Sequence, residues 1–297
     1  MRISVVLGQW LDRSLDADLE IAVLADDLGY RELWVGEMAK ADSPAMATLI
    51  AERTNQIELT LGPLPVTIRS SVQIAIALQT VALTGRQVHV ALGTSSLLVA
   101  QWHDRSRGGA ADRLDAARRE VASLLDGGRV NGFRLPQPPA LRPSITVAAF
   151  GPRAVASAAD ADRMVLNMVT AETAGRLAAQ HSNTAIWLSA AIDPSDEERA
   201  WLSRGFVGYL AAPGYSEMFT EAGYGDLVEF ARTEPGPKQI YARMPADLVD
   251  QIALVGSEET VRARIEEYAQ AGVKEICLVA PALDLPSGRR TLELLAP

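Results

Sequence analysis

The chain has 297 residues, 48% of them hydrophobic, with a formal charge of −9 and a pI near 5.0. That length can bury one large core or two smaller ones. An acidic balance without a concentrated Lys/Arg face argues against nucleic acid as a partner. The lone Cys277 excludes an intramolecular disulfide, and His89, His103 and His181 are too scattered to form a Cys/His metal site. The expectation is a cytoplasmic, metal-free protein acting on a small molecule. The first apolar run soon meets an acidic stretch and no run approaches the roughly 18 residues of a membrane span, so neither leader nor membrane segment is expected.

ISVVLG (3–8) is a strand-length apolar run. LDADLEIAVLADDLGY (15–30) has helical period, with Leu15, Leu19, Ala22, Val23 and Leu24 read as its inner face and Gly29 at C′. RELWVGE (31–37) is a second strand, followed by a helix over 43–54 with Ser43 as N-cap and Pro44 at N1. Strands three and four, IELTLGPLPV (57–66) and QVHVALG (87–93), flank a helix over 71–85. The helix over 111–128 turns Leu114, Ala117, Val121 and Leu124 or Leu125 inward.

Two polar, Pro-rich turns then lead to ITVAAFGPRAVASAADADRMVLNMV (145–169), which packs a strand, a Gly-Pro-Arg turn, a short helix and a sixth strand into one tight unit. A helix over 171–181 and the strand TAIWLSAAI (184–192) follow, and Ser195 with Glu198 forms a capping box. A helix-rich insertion without strand-length runs occupies about 200–252. The N-capped amphipathic helix SEETVRARIEEYAQAGV (257–273) and the strand KEICLVAP (274–281) close the pattern.

Eight strands alternating with helices predict a parallel α/β sheet, best accommodated as a single (β/α)8 barrel domain over 1–297 with its active site at the C-terminal strand ends. A doubly wound sheet is the alternative, but no G-x-G-x-x-G follows strand one and no Walker A sequence is present. A hydrolase lacks a G-x-S-x-G elbow or paired-carboxylate signature.

ADDLGYRELWVGE, AERTNQIELTLGPLPV, ALQTVALTGRQVHVALGTSS, AQWHDR, the 145–169 unit and GSEETVRARIEEYAQAGVKEICLVAP together resemble the luciferase-like monooxygenase superfamily, in particular its coenzyme F420-dependent oxidoreductases. The resemblance implies that the turn Phe150-Gly151-Pro152-Arg153 holds the cofactor phosphate. Glycine allows close backbone approach, Pro starts a helix, and a helix N-terminus offers free N–H donors, so the residues are suited to it. An ordinary βα turn with a solvated arginine is the alternative. Arg153 and Arg163 are candidate rim cations for an acidic cofactor tail.

Asn167 and Met168 end strand six where relatives contact the cofactor chain; Asn167 either binds ligand or caps the next helix. The resemblance also implies a cis peptide bulge in strand three, assigned to Leu64-Pro65, with Thr67 reaching the ring. Gly93, Thr94 and Ser95 end strand four, where relatives bring small groups to the cofactor. Trp102-His103 matches a pair in deazaflavin-using relatives, and His103 is either a candidate acid/base or a solvent-exposed loop histidine. Glu37 ends strand two near the reacting edge, with Met38 where relatives commonly have His. Trp10 could line the substrate face or merely cover the barrel mouth, and Tyr209 and Tyr215 are candidate lid residues.

The leading functional expectation is hydride transfer between coenzyme F420 and a small organic substrate. An FMN-dependent monooxygenase is the enzymatic alternative, and the missing His motivates a third, a non-catalytic coenzyme F420-binding barrel. A homodimer is expected from the resemblance alone.

Overall fold

In the computed structural model, residues 1–8, 13–37 and 40–297 are described, so Trp10 and Met38 lie outside the described residues. The described residues form nine parallel strands: β1 (Arg2–Leu7), β2 (Glu32–Val35), β3 (Glu58–Pro65), β4 (Val88–Gly93), β5 (Ile145–Ala148), β6 (Arg163–Asn167), β7 (Thr184–Ile192), β8 (Leu254–Gly256) and β9 (Glu275–Val279). Strands β1 to β7 pair in chain order, and β9 bridges β7 and β1, closing an eight-stranded barrel. The three-residue β8 pairs only with the end of β7, outside the closure, and is too short to register as an apolar run in the sequence.

The helices are α1 (Leu15–Asp27), α2 (Ser43–Ala51), α3 (Ser71–Ala82), α4 (Leu97–Trp102), α5 (Ala110–Leu125), α6 (Pro152–Ala158), α7 (Ala171–Ala178), α8 (Asp196–Arg204), α9 (Tyr215–Phe219), α10 (Gly225–Arg232), α11 (Pro237–Arg243), α12 (Leu248–Ile252), α13 (Glu258–Gln270) and α14 (Pro286–Leu294). The insertion between β7 and β8 is helical, as its sequence predicts. None of the described helices is long and apolar enough to cross a membrane.

Two local expectations are corrected. Asp42, not Ser43, caps α2 through its contact with the Ala45 amide, because the Ser43 hydroxyl donates 2.6 Å to the Val35 carbonyl. In α1 the buried face is Asp18, Ile21, Ala22, Ala25 and Asp26, while Leu15 is exposed. Two buried aspartates disguise that face as polar. Asp26 accepts from the amides of Asn55, Gln56 and Ile57, and Asp18 pairs with Arg13 and Lys40.

The main apolar core lies between barrel and helices, whereas the barrel interior holds only a small cluster of Val6, Trp34, Ala91, Val165, Ala185 and Cys277. Charge fills the rest of its N-terminal end. Arg163, the first residue of β6, reaches Glu32 at 2.6 Å and Glu275 at 2.8 Å, with its guanidinium 4.2 Å from the Trp34 ring centre. Burial opposes the charge on Arg163, but the two carboxylates outweigh it and hold the guanidinium protonated. Burial would raise Glu32, yet Arg163 and Thr60 hold it below the ordinary carboxylate range. Arg163 therefore sits opposite the expected rim, since the first residue of a strand cannot reach the C-terminal mouth. Burial pushes the Cys277 thiol well up, making it an unsuitable nucleophile.

Candidate active site at the C-terminal mouth

Glu37 leaves β2 with both carboxylate oxygens engaged. Arg69 donates from Nε and Nη2 at 2.7 Å each, and the Ser43 amide donates at 3.0 Å. Arg69 also contacts Asp42, so one guanidinium ties the β2–α2 loop to the β3–α3 loop. Hydrogen bonding to Glu37 is the largest influence holding Arg69 charged.

Beside this pair opens a cleft of about 600 Å³ whose lining includes Glu37, Lys40, Pro65, Arg69, Trp102 and His103. Glu37, Pro65 and His103 come from three separate segments and border the cleft together. Trp102 is 54% exposed at the end of α4, a short helix that also exposes Leu97 and Leu98. Six residues after a Gly-Thr-Ser-Ser turn are too few for a helical period to be read in advance.

Strand β3 does break register, between Leu61 and Leu64, but its cis peptide is Gly62-Pro63 and not Leu64-Pro65. Gly62 has φ +105°, and an added Cβ would strike the Leu64 amide and the Ala91 carbonyl, so glycine is required. The Leu64 side chain is fully buried in the strand–helix core, while Pro65 pairs with Gly93 on β4. Gly93 is also a close approach, since a Cβ there would lie 3.1 Å from that of Pro63. Thr67 Oγ1 donates to the Thr94 carbonyl at 3.4 Å, and Thr94 Oγ1 accepts from Arg107 at 3.0 Å. Ser95 takes φ +62°, turning the chain toward α4.

The β5–β6 side of the mouth has a different cover. Phe150 packs 4.5 Å from Tyr215, which meets Tyr209 at 5.0 Å. Tyr215 donates 2.8 Å to the Asn167 carbonyl and accepts from Asn167 Nδ2 at 3.3 Å. Burial first, then Tyr209, pushes the Tyr215 hydroxyl above its ordinary pKa, leaving it a neutral donor. Thr170, not Asn167, caps α7, which corrects the capping alternative. Met168 has φ +47° and is nearly buried.

Gly151 caps α6 with no side-chain acceptor, Pro152 occupies the first turn, and a Cβ on Gly151 would meet nothing within 4 Å. Arg153 is 66% exposed and already pairs with Asp112. The sequence reading missed Arg69, Arg107 and the Tyr215 latch. Their partners stand 32, 13 and 48 residues away, beyond any local spacing signal.

The sequence matches the luciferase-like monooxygenase family over residues 4–275, and the chain belongs to that family. No curated protein gives a significant sequence match. Among solved structures, the coenzyme F420-dependent tetrahydromethanopterin reductase of Methanopyrus kandleri is 15% identical, with TM-score 0.79 over 100% of this chain and 98% of that one. A coenzyme F420-dependent secondary alcohol dehydrogenase, solved with a coenzyme F420–acetone adduct, is 14% identical, with TM-score 0.76 over 99% and 97%. The oxygenating constituent of 3,6-diketocamphane monooxygenase from Pseudomonas putida, solved with FMN, is 16% identical, with TM-score 0.72 over 100% and 97%. At these identities the likeness establishes the shared fold.

Proposed function

We propose that the protein is an oxidoreductase that binds coenzyme F420 at the barrel mouth and exchanges a hydride with a small organic substrate in the cleft. The observation that carries this reading is the convergence of Glu37, Pro65 and Trp102-His103 on one cleft at the C-terminal strand ends, where barrel enzymes place their chemistry. The neighbours solved with coenzyme F420 chemistry support it as analogies of fold.

The residues fit a planar cofactor that carries a phosphate. Gly93 and the bulge at Gly62-Pro63 keep the backbone close and free of bulky side chains, and open space faces Gly151 where a phosphate would lie. Phe150, Pro152, Arg153, Asn167 and Met168 would border that group, and Thr67, Thr94 and Ser95 the ring. When bound, the deazaflavin supplies the hydride chemistry itself. Trp102 would shield the cleft from water, Arg69 holds Glu37 rigid as a positioning ion pair, and His103 can carry a proton on its imidazole.

Anaerobic, substrate-dependent bleaching of oxidised coenzyme F420 tests the reading, screened over secondary alcohols and other small hydride donors. The Pseudomonas monooxygenase motivates the alternative, FMN with oxygen, in which turnover would require oxygen and FMN. The homodimer remains part of the proposal and is read by sedimentation.

A further inference from the structure

Between β4 and α5 the chain makes an excursion over residues 95–106 that carries α4 beside the cleft. Its base is pinned. Arg107 donates to Thr94 Oγ1 at 3.0 Å, Thr67 donates to the Thr94 carbonyl at 3.4 Å, and Arg113 donates to the Ser106 carbonyl at 2.7 Å. The excursion bends at Ser95, φ +62°, and at Asp104, φ +54°, two non-glycine residues in the left-handed region that stand on either side of α4. Loop positions of this kind are where a chain absorbs the backbone rotation of a closing segment.

Of the nine large apolar side chains exposed among the described residues, three fall on this one short helix: Leu97, Leu98 and Trp102. Val99 and Ala100 are its buried anchors. Leu98 and Trp102 stand four residues apart and share one face, while Leu97 lies along the other edge with Gln101. Because Trp102 borders the cleft, the face it shares with Leu98 continues the cleft wall. The charged and amide groups there are already engaged within the chain, Glu37 and Asp42 with Arg69, Lys40 with Asp18, and Gln73 in the capping box of α3. A guest therefore meets His103 and the apolar surface of Ala41, Pro65, Ile68 and Trp102.

We propose that residues 95–106 are a flap that closes over the cleft on a substrate with an uncharged apolar body, with Leu98 and Trp102 as the contacts that select it. Removing both side chains and the guest from water drives the closure. A charged or strongly hydrated guest supplies no such drive and leaves the flap open. His103 caps the C-terminal end of α4 and moves with it, which couples closure to the group that can carry a proton. The assignment to substrate rests on the cleft being the substrate site of the proposed oxidoreductase; closure over an apolar guest does not.

The test is titration of the full chain with the neutral apolar dye N-phenyl-1-naphthylamine, followed by dye fluorescence and by hydrogen exchange of the amides in 95–106. Saturable binding is expected, with exchange across α4 slowed about tenfold in the dye complex. Leu98→Asn is expected to weaken dye binding about fivefold, as loss of one apolar contact would. Leu97→Asn, on the other edge of the helix and equally exposed, is expected to stay within about twofold of wild type. Absence of saturable binding, binding that leaves exchange in 95–106 unchanged, or equal losses in the two variants overturns the flap. Coenzyme F420 and the dye are expected to bind together, and mutual exclusion overturns the assignment to substrate. If coenzyme F420 does not bind, the oxidoreductase reading fails, while the dye and exchange results, which need no cofactor, still decide on the flap.

Discussion

The two ends of the barrel use the same residue types in opposite ways. At the N-terminal end Arg163, Glu32 and Glu275 pair inside the sheet and fill space that apolar side chains leave open. At the C-terminal end Glu37 and Arg69 pair in the wall of an open cleft. Charge at the closed end is buried inside the sheet, and charge at the open end borders the cleft in which the proposed function places its ligands. Identity alone does not tell them apart; position along the strand does.

The largest expected effect breaks the closed end. Arg163→Met leaves Glu32 and Glu275 buried and unpaired, and should cost about 3–5 kcal/mol in denaturant unfolding. A loss below about 1 kcal/mol would show that water, not Arg163, satisfies these carboxylates. The next acts on the open end alone. Gly151→Asp should weaken cofactor binding by about two orders of magnitude by opposing a phosphate with a carboxylate. Its melting temperature should hardly move, because a Cβ there meets nothing within 4 Å. Unchanged affinity removes the turn from the site.

Also at the open end stands the latch from the insertion. Tyr215→Phe deletes the donor to the Asn167 carbonyl and should cost about 1 kcal/mol or slightly more in urea unfolding. A neutral result would mean that the aromatic packing on Phe150 suffices. Acid stability sharpens the picture of carboxylates used by the fold. For Glu198, burial acts to raise the pKa, but hydrogen bonds from Ser287 and Ser195 outweigh it and hold the group below its usual 4.5. A depressed folded pKa stabilises above the unfolded value and is lost as pH falls through the folded one. Stability should therefore drop on acidification below pH 4.5, and Glu198→Gln should flatten that limb of a urea-midpoint profile. The smallest effect is expected for Arg153→Ala, an exposed pair with Asp112 worth about 0–1 kcal/mol.

The eight barrel strands were legible because parallel strands covered on both faces read as apolar runs, and the capping boxes and N-caps of later helices follow local rules. β8 and α4 escaped because three and six residues carry no measurable period. Gly62-Pro63 and Leu64-Pro65 look alike in sequence, and only the close approach at Gly62 distinguishes them. Arg163 was misplaced by its chemistry although its place at the start of β6 pointed to the other end. Glu37 could be placed by the end of β2, whereas His103 at the end of α4, the Glu37–Arg69 pair and the Tyr215 latch depend on tertiary contacts with no local trace.

The most direct measurement is a paired fluorescence titration of the purified protein with oxidised coenzyme F420 and with FMN. The account predicts saturable binding of coenzyme F420 well below the concentration at which FMN binds, with that binding lost in Gly151→Asp. Binding of FMN alone, or of neither, would contradict it.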